Sequence, residues 1–291
     1  TPAYSSHAAE NAEAAGTSVE GQGMLSPSSS SESSESVFNG SGAGTSSEPV
    51  TDEKLETILK QVQSQLPAEN GTWAVFISDL VNGTEGSLND QKMQAASLIK
   101  LYIMGAVYEN YDQITGQYGR DSVDSNLYSM ITVSDNDAAN TLTTYLGGGD
   151  SAAGMQAVNS FCQAHGYDQT HMGRMLLASN ENDDNYTSVG DCGHLLQEIY
   201  KQDTSSYTHA ADMFNLLKAQ TRCNKIPAQL PEGVKTANKT GELDNVENDA
   251  GIIYDSKNDV VIVFMSQNLS SAGSAQNTIA TLSRTIYDYY N

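Results

Sequence analysis

The sequence predicts an α/β protein of the α+β type: an antiparallel sheet flanked by terminal helices, with an all-helical lobe inserted between them. Three observations predict it. Helical spacing of apolar residues marks both ends of the region 51–291, strand-like runs joined by short turns fill its last third, and residues from about 121 to 220 read as helix in several pieces. Short turns between neighbouring strands leave no room for crossover helices, so the pairing is antiparallel.

Residues 1–50 hold 14 serines, six glutamates and no lysine or arginine, including Ser28-Ser29-Ser30-Ser31 and Gly40-Ser41-Gly42-Ala43-Gly44. They offer almost nothing to bury and read as a disordered acidic tether. The folded domain is expected over 51–291. Leu55, Ile58, Leu59, Val62 and Leu66 recur at three- and four-residue steps, with Asp52 and Glu53 in the first turn and Pro67 as the stop. Trp73 to Ile77 predicts a strand, and Asn82-Gly83 turns the chain back. From Ser97 to about Glu109 the chain is apolar all round, which predicts a buried helix. Gly147-Gly148-Gly149 and a polar stretch near 178–187 punctuate the helical block. Lys235 to Glu242, Ala250 to Tyr254 and Asp259 to Gln267 read as three strands, the last two joined by an Asp-Ser-Lys-Asn turn, before a final helix marked by Ile279, Leu282 and Ile286.

Composition excludes several functions. The 291 residues carry 36 acidic and 14 basic side chains, a net charge of −22, so no basic face exists to neutralise phosphates and nucleic acid is not an expected partner. The longest apolar run, Val260 to Met265, is far too short to span a bilayer. The chain begins at Thr1 and shows no signal peptide, which reads as a mature or trimmed form, with an upstream lipid or membrane anchor left open. Cys162, Cys192 and Cys223 stand far apart, with no C-x-x-C and no histidine at zinc-ligand spacing, so no metal site is expected. Cys192 and Cys223 flank a predicted helical hairpin and are the expected pair if one disulfide forms.

Three short motifs carry chemistry. Ser97-Leu98-Ile99-Lys100 sets a hydroxyl and an amine three residues apart on one helical face. A serine hydroxyl attacks well only when a base takes its proton, and burial or a neighbouring cation lowers a lysine's pKa enough for it to serve. Ser134-Asp135-Asn136 follows in a polar break between helices; alone it reads as a helix N-cap. Lys239-Thr240-Gly241 lies on a strand, where the glycine permits close approach of another backbone or a ligand.

In this order the three motifs resemble those of the penicillin-recognising serine hydrolases, in particular the class A β-lactamase-like branch. The resemblance spans roughly residues 51–291 and implies a β-lactamase/transpeptidase-like fold. It implies that Ser97 is the acylated nucleophile and Lys100 its activating partner. Ser134 would pass a proton to the leaving nitrogen, Asn136 would hold Lys100 and the substrate amide, and Lys239 would keep the field positive. Thr240 would bind a substrate carboxylate, Gly241 would let strand and substrate approach, and the backbone N–H groups of Ser97 and Glu242 would form the oxyanion hole. Asp135 would be a turn and cap former. No cofactor is implied, and a monomer is expected.

Two departures from the family pattern stand out. If Arg174 aligns with the family's arginine, the Ω-loop glutamate that activates the deacylating water is replaced by Leu176; Glu181, Asp183 or Asp184 could substitute for it, against the favoured reading of a solvated acidic loop. The strand after Lys239-Thr240-Gly241 lacks the arginine that grips a substrate carboxylate in many relatives, leaving Arg222 or Lys225 to arrive from elsewhere, and Glu242, Asp244 and Glu247 crowd the expected rim. The expected function is therefore acyl-enzyme formation on Ser97 with a β-lactam or a D-Ala-D-Ala peptidoglycan stem peptide, with slow deacylation, outside the cytoplasm. The alternatives are a D,D-carboxypeptidase or peptidoglycan-tailoring enzyme, and a non-hydrolytic penicillin-binding sensory module.

Overall fold

The computed structural model describes residues 52–291; the stretch read as a tether lies outside the described residues. The chain runs α1 (Glu53–Gln65), β1 (Thr72–Asp79), β2 (Thr84–Leu88), β3 (Met93–Gln94), a 3-10 turn (Ala96–Leu98) and α2 (Ile99–Glu109). It continues through α3 (Tyr111–Tyr118), α4 (Arg120–Thr132), α5 (Asn136–Leu146), α6 (Ser151–Ala164), β4 (Tyr186–Thr187), α7 (Val189–Lys201) and α8 (Ala210–Lys218). Last come a second 3-10 turn (Ile226–Gln229), β5 (Lys235–Leu243), β6 (Val246–Tyr254), β7 (Val260–Gln267) and α9 (Ala272–Tyr290).

The five-stranded sheet has the order β2-β1-β7-β6-β5, and every neighbouring pair is antiparallel. Its central strands are buried on both faces, which explains why they read as unbroken apolar runs rather than alternating ones. Alternation sorts their side chains: Val75, Ile77, Ile262 and Phe264 meet α1 and α9, while Ala74, Phe76, Val261 and Val263 join the core of the helical lobe. Asp52 caps α1, accepting from the backbone N–H groups of Lys54 and Leu55.

The helical lobe is built around α2, whose residues Ile99 to Tyr108 are all buried. The helical block is interrupted for longer than its sequence suggests, before α7 and α8 resume it. Gly166, at φ +75°, closes α6, and residues 166–188 form an extended loop apart from the short β3–β4 pair. That loop is pinned by side chains, with Asn159 accepting from the Met172 N–H and Asn185 from the N–H groups of Gly173 and Arg174.

The expected Cys192–Cys223 disulfide is not formed: all three cysteines are free, Cys192 buried and Cys223 exposed. Cys192 sits on the inward face of α7 with Val189, Leu195, Leu196 and Ile199, where its sulfur accepts a hydrogen bond from Tyr102 Oη at 3.4 Å. The core face of the helix therefore commits this side chain away from solvent and away from Cys223.

Candidate active site

Ser97 lies in the 3-10 turn that feeds α2, just after Ala96, whose backbone is left-handed at φ +47°. One helical turn on, Lys100 is wholly buried, the charged residue of an otherwise apolar segment. Its Nζ donates to Ser134 O at 2.6 Å, Asn136 Oδ1 at 2.7 Å and Ser134 Oγ at 3.1 Å. Ser134 is also left-handed, at φ +61°, and Asp135 caps α5 by accepting from the Ala138 N–H at 2.7 Å. The cap starts α5 at Asn136, so the turn and the cap together aim Ser134 and Asn136 at the amine.

Lys239 approaches from β5. Its Nζ lies 2.9 Å from Ser134 Oγ and donates to Thr240 O at 2.7 Å. One hydroxyl thus stands between two buried amines. Burial pushes Lys100 down from 10.5 to about 7, and the positive charge of Arg222 adds to this while Asp135 opposes it. Burial also holds Lys239 well below the ordinary lysine range, helped by Lys100 and Arg222. Among the described residues no hydrogen bond joins Ser97 Oγ to Lys100 Nζ. The charged lysine has three donors, and Ser134 and Asn136 take all of them. Loss of one proton leaves two donors for Ser134 O and Asn136 Oδ1 and frees a lone pair to accept from a hydroxyl.

Beside these groups runs β5, the last strand of the sheet. At Gly241 a Cβ would fall 2.9 Å from Ala95 O and 3.2 Å from Ser97 N, so only glycine lets the strand lie this close to the serine turn. A cleft of about 140 Å³ is lined by Ser97, Ser134, Asn136, Arg222, Thr240 and Glu242. It adjoins a second space of about 320 Å³ reaching past Ser97 and Asn136 to Leu176, Leu177 and Leu243. The structure therefore brings together all eight residues singled out in the sequence. A roomier cavity of about 390 Å³ lies around Tyr108, Tyr111 and His209 in the helical lobe, but it holds none of them. Among the described residues no group of three or more His, Cys, Asp and Glu side chains is arranged to hold a metal ion.

The model of a beta-lactamase enzyme family matches residues 54–121 and 117–290. The chain belongs to this beta-lactamase family. No curated protein matches the sequence. Among solved structures, PBP-A superposes with a TM-score of 0.70 at 23% identity, covering 80% of this chain and 96% of that one. A β-lactamase from Sphaerobacter thermophilus gives 0.67 at 22% identity over 80% of this chain and 96% of its own. An ancestral class A β-lactamase gives 0.69 at 20% identity over 79% and 99%. The chain is a class A β-lactamase-like serine hydrolase in family and fold.

The structure also corrects the reading of the rim. Glu247 is not at the rim: it is buried, and its Oε2 lies 2.7 Å from Lys225 Nζ. Glu242 does line the cleft, yet it is paired with Lys225 at 3.1 Å and Arg222 at 3.8 Å. Burial works against its ionisation, but the two cations hold its pKa below the usual value. Both acids are thus matched by positive charge, and the repulsion expected of them is largely cancelled. Arg222, from the segment after α8, reaches the cleft and donates to Val133 O at 3.2 Å. No periodic pattern in residues 219–226 announced this placement.

In the loop carrying Leu176, Glu181 and Asp183 are exposed, as expected of a solvated acidic loop, and Asp184 departs from that reading. Asp184 is buried and bound by Arg174 Nε at 2.6 Å. Asp183 faces His171 at 2.7 Å. Leu176 is clasped through its backbone by Asn140, N–H to Oδ1 at 2.8 Å and C=O from Nδ2 at 3.0 Å. It lines the space next to Ser97, whereas Glu181, Asp183 and Asp184 do not.

Proposed function

We propose that the protein is an acyl-transfer enzyme that forms an ester on Ser97 with a β-lactam or a D-Ala-D-Ala type stem peptide and releases it slowly. One observation carries this reading: Ser134 Oγ stands 3.1 Å from the Nζ of Lys100, which lies one helical turn after Ser97, and 2.9 Å from Lys239 Nζ. Neutral Lys100 accepts the proton of Ser97 as its Oγ attacks the amide carbonyl. The N–H groups of Ser97 and Glu242 receive the developing oxyanion. As the C–N bond breaks, the proton travels from Lys100 through Ser134 to the leaving nitrogen. Lys239, Thr240 and Arg222 attract the substrate carboxylate, concentrating positive charge in the cleft of a chain whose net charge is −22.

Slow release follows from Leu176, which presents no oxygen to a water near the ester. The substrate class is supported by a similar solved structure, a leucine-to-glutamate variant of PBP-A as its acyl-enzyme complex with penicillin G. A stem-peptide substrate would be met outside the cytoplasm, which supports an extracytoplasmic site of action. The test is incubation with penicillin G followed by intact-mass measurement. A persistent adduct on Ser97, absent from Ser97→Ala, is the expected result. Rapid turnover with no trapped species refutes slow release, and no adduct together with no turnover of penicillin G or of a D-Ala-D-Ala peptide refutes the acyl-transfer reading itself.

A further inference from the structure

We propose that Lys225 is a positioning residue that orients and polarises the peptide group donating to the oxyanion. This rests on the acyl-transfer reading above. Lys225 is wholly buried behind β5. Its Nζ contacts Glu247 Oε2 at 2.7 Å, Glu242 Oε1 at 3.1 Å, Asn248 O at 3.1 Å and Gly241 O at 3.3 Å. It cannot touch substrate from there.

The contact with Gly241 O is the informative one, because that oxygen and the Glu242 N–H belong to the same peptide unit. The unit is planar and trans, so its C=O and N–H point in opposite directions. A cation drawing the Gly241 oxygen inward therefore sends the Glu242 N–H outward. The strand register agrees. β5 and β6 form a two-residue hairpin closed by Leu243 and Val246, with Gly241 opposite Asn248 and Glu242 opposite Glu247. Hydrogen-bonded pairs alternate along such a ladder, so with the Leu243 and Gly241 pairs bonded, Glu242 turns its N–H away from β6. Away from β6 lies the serine turn, since β5 is an edge strand and Gly241 abuts Ser97 N.

A positive charge at the carbonyl end also makes the N–H at the other end a stronger donor, because hydrogen bonds in series polarise one another in a low-dielectric interior. The counter-charges are arranged to keep the ammonium in place. Gln276 Nε2 donates to Glu247 Oε1 at 2.9 Å, and the Ser266 hydroxyl donates to Glu247 O at 2.6 Å. Lys225 itself is followed by Ile226, whose N–H donates to buried Asp249 Oδ2 at 2.9 Å. The amine is therefore anchored from both its backbone and its head group.

The experiment compares wild type, Lys225→Arg, Lys225→Met and the double variant Lys225→Met/Glu247→Gln, using penicillin G. Lys225→Met alone leaves Glu247 buried and unpaired, so it need not fold; the double variant removes both charges and is the decisive protein once its circular dichroism and melting match wild type. Expected in the double variant is an acylation rate constant down about tenfold to a hundredfold, since a donor is weakened rather than removed, with little change in the constant for the non-covalent complex. The ester carbonyl of its acyl-enzyme should absorb at higher infrared wavenumber, and Lys225→Arg should restore part of both. A folded double variant that acylates at the wild-type rate with an unshifted carbonyl band overturns the proposal. Absence of any adduct in wild type is a separate result, which removes the acyl-transfer reading beneath it.

Discussion

Acylation of Ser97 should follow the titration of Lys100. The perturbation is pH, and the magnitude comes from the burial that holds this amine at about 7. A base with that pKa is about 1% neutral at pH 5, about 9% at pH 6 and about 91% at pH 8. The rate constant for acylation should rise about tenfold per unit at the acid end, about tenfold in all between pH 6 and 8, and then flatten. Arg222→Gln removes a positive neighbour of Lys100, so its midpoint should move upward. The same shift has an energetic side. Lowering the amine from 10.5 to about 7 corresponds to about 5 kcal/mol against the charged form in the folded protein. The unfolded chain then binds more protons than the folded one between those values, so this group's contribution to stability rises from about pH 7 to about pH 10.5. The assay is quenched-flow reaction with excess penicillin G from pH 5 to 9, read as the Ser97 adduct by intact mass. A flat profile, or a midpoint near 10, would show that Lys100 does not take the proton.

Three further outcomes are expected. Leu176→Glu places a carboxylate in the space beside Ser97, so the penicilloyl adduct should disappear faster while its formation changes little; an equally persistent adduct would mean that something other than the missing base limits release. Gly241→Ala sets a methyl 2.9 Å from Ala95 O, which should cost about 1–3 kcal/mol of stability and slow acylation; wild-type melting and kinetics would show that the strand has room to move. Asp249 is raised by burial to about 6 despite the opposing pull of Lys225 and its hydrogen bonds. A raised acid stabilises the fold fully below its unfolded pKa and loses that contribution as pH rises through the folded one, here about 3 kcal/mol between pH 4 and 6. Urea titrations from pH 4 to 7.5 should show a weaker dependence in Asp249→Asn, and an unchanged one would contradict the assignment.

The parts of this molecule that sequence discloses are those governed by local spacing. The three- and four-residue steps from Leu55 to Leu66, the apolar helix after Ser97 and the three late strands all depend on near neighbours, and the structure contains each of them. The site motifs are legible for the same reason, since each is a fixed local pattern. What stayed hidden depends on charges brought together from afar. Glu247, Asn248 and Asp249 precede the strand expected from Ala250, with Glu247 expected at the rim, yet all three are buried: Lys225 neutralises the first, and Asn238 and the Ile226 N–H bind the third. Arg222 and Lys225 lie in a segment without periodicity, so nothing near them reveals the destination. Cys192 did carry a usable signal: Val189, Leu195, Leu196 and Ile199 share its helical face and predict a buried thiol.

The free thiols bear on how the cleft can be watched. Two are sealed inside the protein, whereas Cys223 is exposed and directly follows Arg222 in the chain. A thiol-selective fluorophore attached there would sit next in the chain to a residue that lines the cleft, without any engineered cysteine. Its emission would then report arrival and departure of an occupant in real time, in the native chain, independently of any coloured substrate.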